Sequence, residues 1–251
     1  MDALATVKSQ IQSAKDDLQA CKPTTLDWIS RSILTAETII PWLILTAPGM
    51  KEYVEDVLNA PTILRSMWDK MRANVNLPKD QIDAFDRQMT LDDVLRESVT
   101  GEVVSNVVTK YLKEHHPEKI LLSNGRSDYP DIYLSTQDYS VLPQFKRHKN
   151  VIEADAYGAA VKGNRSHPVR VPDGLEIKTC RERIAVDCHH PHSGLHLVLV
   201  FSETARKFSV TDVRVAFLCT KDYRESKRNT TATTVKYSFN GDRFVSLFKT
   251  A

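Results

Sequence analysis

The chain has 251 residues, of which 41% are hydrophobic and 26% charged, with a formal net charge of +2. These are ordinary values for a folded globular chain and exclude long disorder; the length suffices for one large domain or two small ones. So small an excess of positive charge neither demands nor excludes a nucleic-acid partner, and any basic surface has to be local.

In chain order, the first stretch is helical. Ala3, Val7, Ile11, Ala14 and Leu18 recur at helical spacing, with Lys and Asp residues on the other face. Lys22-Pro23-Thr24-Thr25 breaks the pattern, and Thr25 suits the cap of a helix carrying Leu26, Ile29, Ile33 and Leu34. Ile39-Ile40-Pro41-Trp42-Leu43-Ile44-Leu45 is the most apolar run. It falls short of the roughly 20 residues that span a bilayer, Pro41 interrupts it, and it is expected as a buried helix. Further helices fit Tyr53, Val54, Val57 and Leu58, and after Pro61 the set Leu64, Met67, Trp68 and Met71. Another starts near Thr90-Leu91-Asp92-Asp93, runs through Val94, Leu95, Val103, Val107 and Leu112, and must stop before Pro117.

Near residue 118 the pattern turns to strands. Candidates are Lys119 to Leu122, Asp131 to Leu134, Gly174 to Cys180, Leu195 to Phe201 and Val213 to Leu218. Asn124-Gly125 marks a turn, and Asn240-Gly241 is expected to join strands at Thr233 to Phe239 and Phe244 to Phe248 as a hairpin. The division expected is a mainly helical region, 1–116, and a sheet-rich core, 117–251. Cys21, Cys180, Cys188 and Cys219 form no C-x-x-C pair, and MDALATVKSQ lacks a signal-peptide layout, so reduced thiols and a cytoplasmic location are expected.

Chemistry concentrates in Tyr129-Pro130-Asp131-Ile132-Tyr133 and Leu175-Glu176-Ile177-Lys178. Alternate residues of a strand share a face, so Glu176 and Lys178 project together while Leu175 and Ile177 face a core. If Asp131 begins a neighbouring strand, two carboxylates and an ammonium converge. Hard carboxylate oxygens suit Mg²⁺, the Ile177 carbonyl is a further candidate ligand, and a metal with a lysine beside it suits phosphodiester hydrolysis.

At these residues the chain resembles the PD-(D/E)xK nuclease superfamily, type II restriction endonucleases in particular, over roughly residues 118 to 220. The resemblance implies an α/β (α+β) fold: a restriction-endonuclease-like mixed β-sheet core flanked by helices, with an extra N-terminal helical region. It implies Asp131 and Glu176 as metal ligands, Lys178 as the catalytic lysine, and an auxiliary acid on the preceding helix, Glu97 or Glu102. It further implies Mg²⁺ as cofactor, double-stranded DNA as substrate and a homodimer, in which the helical region serves as dimer surface or DNA-embracing arm. A repair or recombination nuclease of the same fold, and a non-catalytic DNA-binding or interaction module, are the alternatives. The gap from Asp131 to Glu176 is longer than the short hairpin common in the family and requires an insertion over about 135–172. Asp128 and the Pro172-Asp173 pair are weaker choices than Asp131.

The insertion carries Lys146, Arg147, His148, Lys149, Lys162, Asn164, Arg165, His167 and Arg170, with Tyr139, Phe145 and Tyr157 interleaved. A second basic stretch holds Lys221, Tyr223, Arg224, Lys227 and Arg228. The insertion is expected to contact DNA, since cations hold phosphates and Arg and Asn read base edges; the second stretch reads as a further DNA contact, through Arg224, Lys227 and Arg228, or as a flexible connection. His189, His190, His192 and His196, beside Cys188, match no closed zinc spacing and are expected as an exposed turn.

Overall fold

The computed structural model describes residues 2–20, 28–63, 98–116, 122–123, 131–133, 145–148, 151–154, 174–181, 187–188, 193–204, 207–225, 237–239 and 241–248. It is a mixed α+β structure built on a mixed sheet with helices against one face.

The helices are α1 (Ala3–Ser13), α2 (Lys15–Ala20), α3 (Trp28–Asn59) and α4 (Ser98–His115). Asp2 caps α1: its carboxylate accepts a hydrogen bond from the Leu4 N–H at 3.0 Å, satisfying one of the free donors of the first turn. The same helix buries Ala3, Val7 and Ile11.

The pattern from Ile29 to Leu34 and that around Tyr53 to Leu58 belong to one helix, α3, which continues through Pro41 and Pro48, while Thr25 and Leu26 lie outside the described residues. Each proline removes a backbone N–H, a penalty of about 3 kcal/mol in a helix interior. Both prolines lie on the exposed side of the helix. Burial of Ala36, Ile39, Ile40, Leu43, Ala47, Met50, Val54 and Leu58 along the opposite side offsets the loss. The apolar run is thus part of a much longer helix than its own seven residues suggest; Ile29–Asn59 is long and apolar enough to cross a membrane by length and composition. In the structure that helix packs against α1, α4 and the sheet.

The strands are β1 (Leu122–Ser123), β2 (Ile132–Tyr133), β3 (Phe145–His148), β4 (Val151–Ala154), β5 (Leu175–Arg181), β6 (Asp187–Cys188), β7 (Gly194–Thr204), β8 (Lys207–Leu218), β9 (Tyr223–Glu225), β10 (Tyr237–Phe239) and β11 (Val245–Ser246). A six-stranded sheet runs β1-β2-β5-β7-β8-β11, antiparallel throughout except for the parallel pair β5–β7. Strands β7 and β8 extend beyond the apolar runs visible in the sequence and form a long hairpin with an irregularity between Val200 and Phe201.

Alternation gives this sheet two unlike faces. Leu175, Ile177, Leu195, Leu197, Leu199, Val213, Val215 and Phe217 share one hydrophobic core with α1, α3 and α4. Cys180, Val198, Val200, Ala216 and Leu218 face the other way and pack with Tyr223 and Phe244.

Among the described residues, the strands flanking Asn240-Gly241 do not pair with each other as the expected hairpin. Strand β10 pairs with β6 and β9 in a separate three-stranded sheet, whereas β11 pairs with β8. Gly241–Arg243 is a short 3-10 turn that carries the chain from one sheet to the other, and the Gln10 amide donates to the Arg243 carbonyl at 2.7 Å, anchoring the turn to α1. A strong local turn signal fixes a change of direction, not which strands pair across it. The helix expected after Pro61 lies outside the described residues, as does the start of the helix placed near Thr90.

Candidate active site

Asp131, Glu176 and Lys178 come together at the β2–β5 boundary. Ile132 is in register with Leu175, so Asp131 lies opposite Glu176 just where β2 begins. The Ile177 N–H, which would otherwise continue the ladder, donates to Asp131 Oδ2 at 2.7 Å. The Asp131 N–H donates to Glu176 Oε2 at 3.2 Å. Lys178 Nζ pairs with Glu176 Oε1. Each carboxylate is thus held by the other strand's backbone, and the two strands exchange side-chain bonds in place of ladder bonds.

The alternation of β5 sets which groups arrive. Leu175 and Ile177 are buried in the helical core, while Glu176 and Lys178 project from the opposite face. Glu176 is buried, at 4% exposure, and the Lys178 side chain retains 24%. An extended residue directs its N–H and C=O to the same edge, so the Ile177 carbonyl faces the side from which Asp131 accepts the Ile177 N–H.

Burial dominates the electrostatics. Glu176 is pushed up to about 7, chiefly by desolvation; the Lys178 ammonium opposes this, the Asp131 charge adds to it, and hydrogen bonds from Lys178 and the Asp131 N–H oppose it. Asp131 keeps some surface exposed, yet burial still raises its carboxyl above the usual range. The Lys178 charge, the Ile177 N–H and the Ser105 hydroxyl pull the other way. Two adjacent carboxyls that remain hard to ionise beside a lysine constitute a site short of positive charge. That is the donor chemistry a hard divalent cation fits: one or two carboxylates, with remaining positions left to water and substrate oxygens. Among the described residues no group of three His, Cys, Asp or Glu side chains forms a fuller cage. Asp131, Glu176 and the Ile177 carbonyl are the groups that would hold such an ion.

Protein-family models, curated proteins and solved structures give no match to this chain. The geometry and electrostatics of the site therefore carry the functional reading.

Other residues singled out from sequence fall as follows. Lys146 and Arg147 lie on β3, which pairs with β4 as a hairpin inside the segment read as an insertion, with Lys146 opposite Glu153. Arg224 is exposed on β9. Lys149, Lys162, Asn164, Arg165, Arg170, Lys227 and Arg228 lie outside the described residues, as do Asp128, the Pro172-Asp173 pair and Glu97. Glu102 lies on α4, one turn before Ser105.

His196 follows the strand expected over Leu195 to Phe201 and not the exposed turn expected of the histidine cluster. It is fully buried within β7 and does not belong to an exposed turn. Its Nδ1 bonds the Gly194 carbonyl at 2.8 Å, and its Nε2 lies 3.1 Å from the Tyr223 hydroxyl. Burial, with help from the Lys178 charge, lowers it to about 3 against the pull of the Gly194 carbonyl, so the imidazole is neutral. Cys180, on the same face, is pushed up to about 12, mainly by burial, and is an inert thiol. His189, His190 and His192 lie outside the described residues.

Ser105, His196 and Tyr223 were not recognisable from sequence as neighbours of the site. Ser105 had one signal, a hydroxyl between Val104 and Val108 on the inward side of a helix. His196 and Tyr223 had none, because their nearness depends on strand register.

Proposed function

We propose that this protein is a Mg²⁺-dependent endonuclease that hydrolyses phosphodiester bonds of double-stranded DNA, with a restriction-endonuclease-like fold. The observation that carries the reading is the reciprocal bonding of Asp131 and Glu176 across β2 and β5, with Lys178 on the same face as Glu176. The strand order supports it: helix α4, then β1, β2 and β5 as an antiparallel meander, then β7 parallel to β5.

In this reading Asp131, Glu176 and the Ile177 carbonyl hold the cation. When bound, Mg²⁺ supplies positive charge to the phosphodiester as it is attacked. Lys178 offers a compact ammonium to the charge that grows on the phosphate oxygens and helps orient the attacking water. Burial of Glu176 keeps bulk water from screening these groups. Lys146, Arg147 and Arg224, with the cations at 149, 162, 165, 170, 227 and 228 and with Asn164, would grip DNA. A homodimer would bring two such sites to the two strands of a palindrome, and a cytoplasmic location accords with the same role.

The test is digestion of plasmid DNA by the purified protein, with Mg²⁺ and with EDTA. Discrete fragments that require Mg²⁺ are the expected result. Nicking confined to branched or flapped substrates would indicate a repair nuclease. Absence of cutting across plasmids of varied sequence would leave a non-catalytic module. Asp131→Asn or Glu176→Gln should abolish cleavage while leaving DNA binding largely intact, and full activity in either would overturn the assignment.

A further inference from the structure

The face of the sheet that presents Glu176 and Lys178 also presents His196. The parallel register pairs Glu176 with His196 and Lys178 with Val198, so these four side chains share one face, with His196 diagonal to Lys178. At a diagonal position a long side chain can reach its neighbour. The imidazole has a defined orientation. A carbonyl only accepts, so the ring donates through Nδ1–H to the Gly194 carbonyl. Nε2 of a neutral ring is then a bare acceptor, and the Tyr223 hydroxyl donates to it across 3.1 Å. Tyr223 comes from β9, in the smaller sheet, and packs on this face with Val198.

We propose that His196 and Tyr223 are positioning residues for Lys178: Tyr223 occupies the imidazole acceptor that would otherwise compete with Glu176 for the Lys178 ammonium. The inference deepens the nuclease reading and rests on it for its catalytic consequence. A buried imidazole nitrogen is a good acceptor for an ammonium. Were Nε2 open, Lys178 could turn toward β7 and away from the β2–β5 boundary. With Tyr223 in place, the wall of His196 and Val198 leaves the ammonium directed at Glu176, where it is found. The nearness is also felt electrostatically, since the Lys178 charge acts on His196.

The closing experiment has an arm that needs no cleavage. Imidazole ¹⁵N shifts of the intact wild-type protein should show His196 as the Nδ1–H tautomer with Nε2 unprotonated; an Nε2–H tautomer overturns the proposal. In ¹⁵N-lysine protein, the Nζ resonance of Lys178, identified by its loss in Lys178→Ala, should shift in Tyr223→Phe, and an unmoved resonance overturns it. With DNA and Mg²⁺, Tyr223→Phe should cut about tenfold more slowly in single turnover, with DNA affinity and unfolding temperature close to wild type. Added to Lys178→Ala, it should cause no further loss. Independent, multiplicative losses would mean a merely structural role and would sink the proposal. If wild type cuts no DNA, the nuclease reading fails, and the two resonance measurements alone decide the positioning of Lys178.

Discussion

Glu176 ties the candidate site to folding through one proton. Its carboxyl rises from the ordinary 4.5 to about 7 in the folded chain, so the folded state binds the proton more tightly than the unfolded one. That contribution to stability is fully present below pH 4.5 and is lost as pH rises through about 7. His196 acts with the opposite sign: lowered from 6.5 to about 3, it stabilises above 6.5 and loses that contribution as pH falls toward 3. The two slopes oppose each other between pH 4.5 and 6.5, so the wild-type curve alone hides both. The expected outcome is that, in EDTA, the stability difference between Glu176→Gln and wild type moves in favour of the variant as pH climbs from 4.5 to 7.5, read from urea midpoints; a difference independent of pH would place Glu176 in a wetter setting. Mg²⁺ should raise the wild-type midpoint more at pH 8 than at pH 5, because protons and cation compete for the same oxygens. Lys178→Ala should slow single-turnover cleavage by about 10² to 10³, the range for losing one donor that stabilises transition-state charge. DNA affinity should change much less. Lys178→Arg should not restore the rate, because a planar guanidinium does not fit where a compact ammonium pairs with Glu176. Near-wild-type cutting by Lys178→Ala would make this lysine a bystander.

Helix α3 shows how far element boundaries were legible. Its apolar spacing is plain in the sequence, yet Pro41 and Pro48 read as punctuation until the structure puts both on the water-facing side. Propensity registers the missing N–H, whereas tertiary burial decides whether the helix survives it. The end of α4 was legible because Pro117 restricts the residue before it, and the helix stops at His115. Strands β7 and β8 were legible only where both faces are buried; their outer ends depend on partners far away in sequence. One such partner is Asn59, whose side chain accepts from the Phe208 N–H and donates to the Phe208 carbonyl, each at 2.8 Å, joining the end of α3 to β8. The α3–α4 crossing is equally tight. A Cβ built on Gly49 would lie 2.5 Å from the Tyr111 hydroxyl oxygen, with the next nearest atom at 3.6 Å. Gly49→Ala should therefore destabilise by about 1–3 kcal/mol through overpacking, although alanine is the better helix former. In a Tyr111→Phe background the obstruction is gone, and the same substitution should stabilise by up to about 1 kcal/mol. Denaturant midpoints of the four proteins check this, and an unchanged sign in the two backgrounds would mean that the helices are not held at this distance.

At the scale of the whole molecule, helices and sheet share one hydrophobic core, and the candidate site lies on the face turned away from it. The sequence disclosed the parity of Glu176 and Lys178 because that depends on neighbours two residues apart. It did not disclose that Asp131 would take the Ile177 N–H, nor that β9 would cover the far side of the same face, because both follow from register. Under the proposed function, the cations are the long-range counterpart of this centre. Replacing Lys146, Arg147 and Lys149 together by Gln should weaken DNA binding and reduce the slope of log affinity against log salt by up to about 3, since each lost phosphate contact releases about one counterion fewer. An unchanged slope would move the DNA path off the β3–β4 hairpin.

The way β5 is anchored has a consequence for how such a chain can vary. Its phase is fixed by seven successive register pairs to β7 and not by the segment arriving from β2. Residues can be gained or lost between positions 134 and 173 without changing which way Glu176 points, because the incoming chain must rejoin the same frame at Leu175. A single residue inserted between Glu176 and Lys178 behaves quite differently. It inverts the strand downstream, sending Lys178 toward the apolar core and a core residue toward the two carboxylates. The interval between the two acids is therefore free to lengthen, and the interval between the acid and the lysine is not.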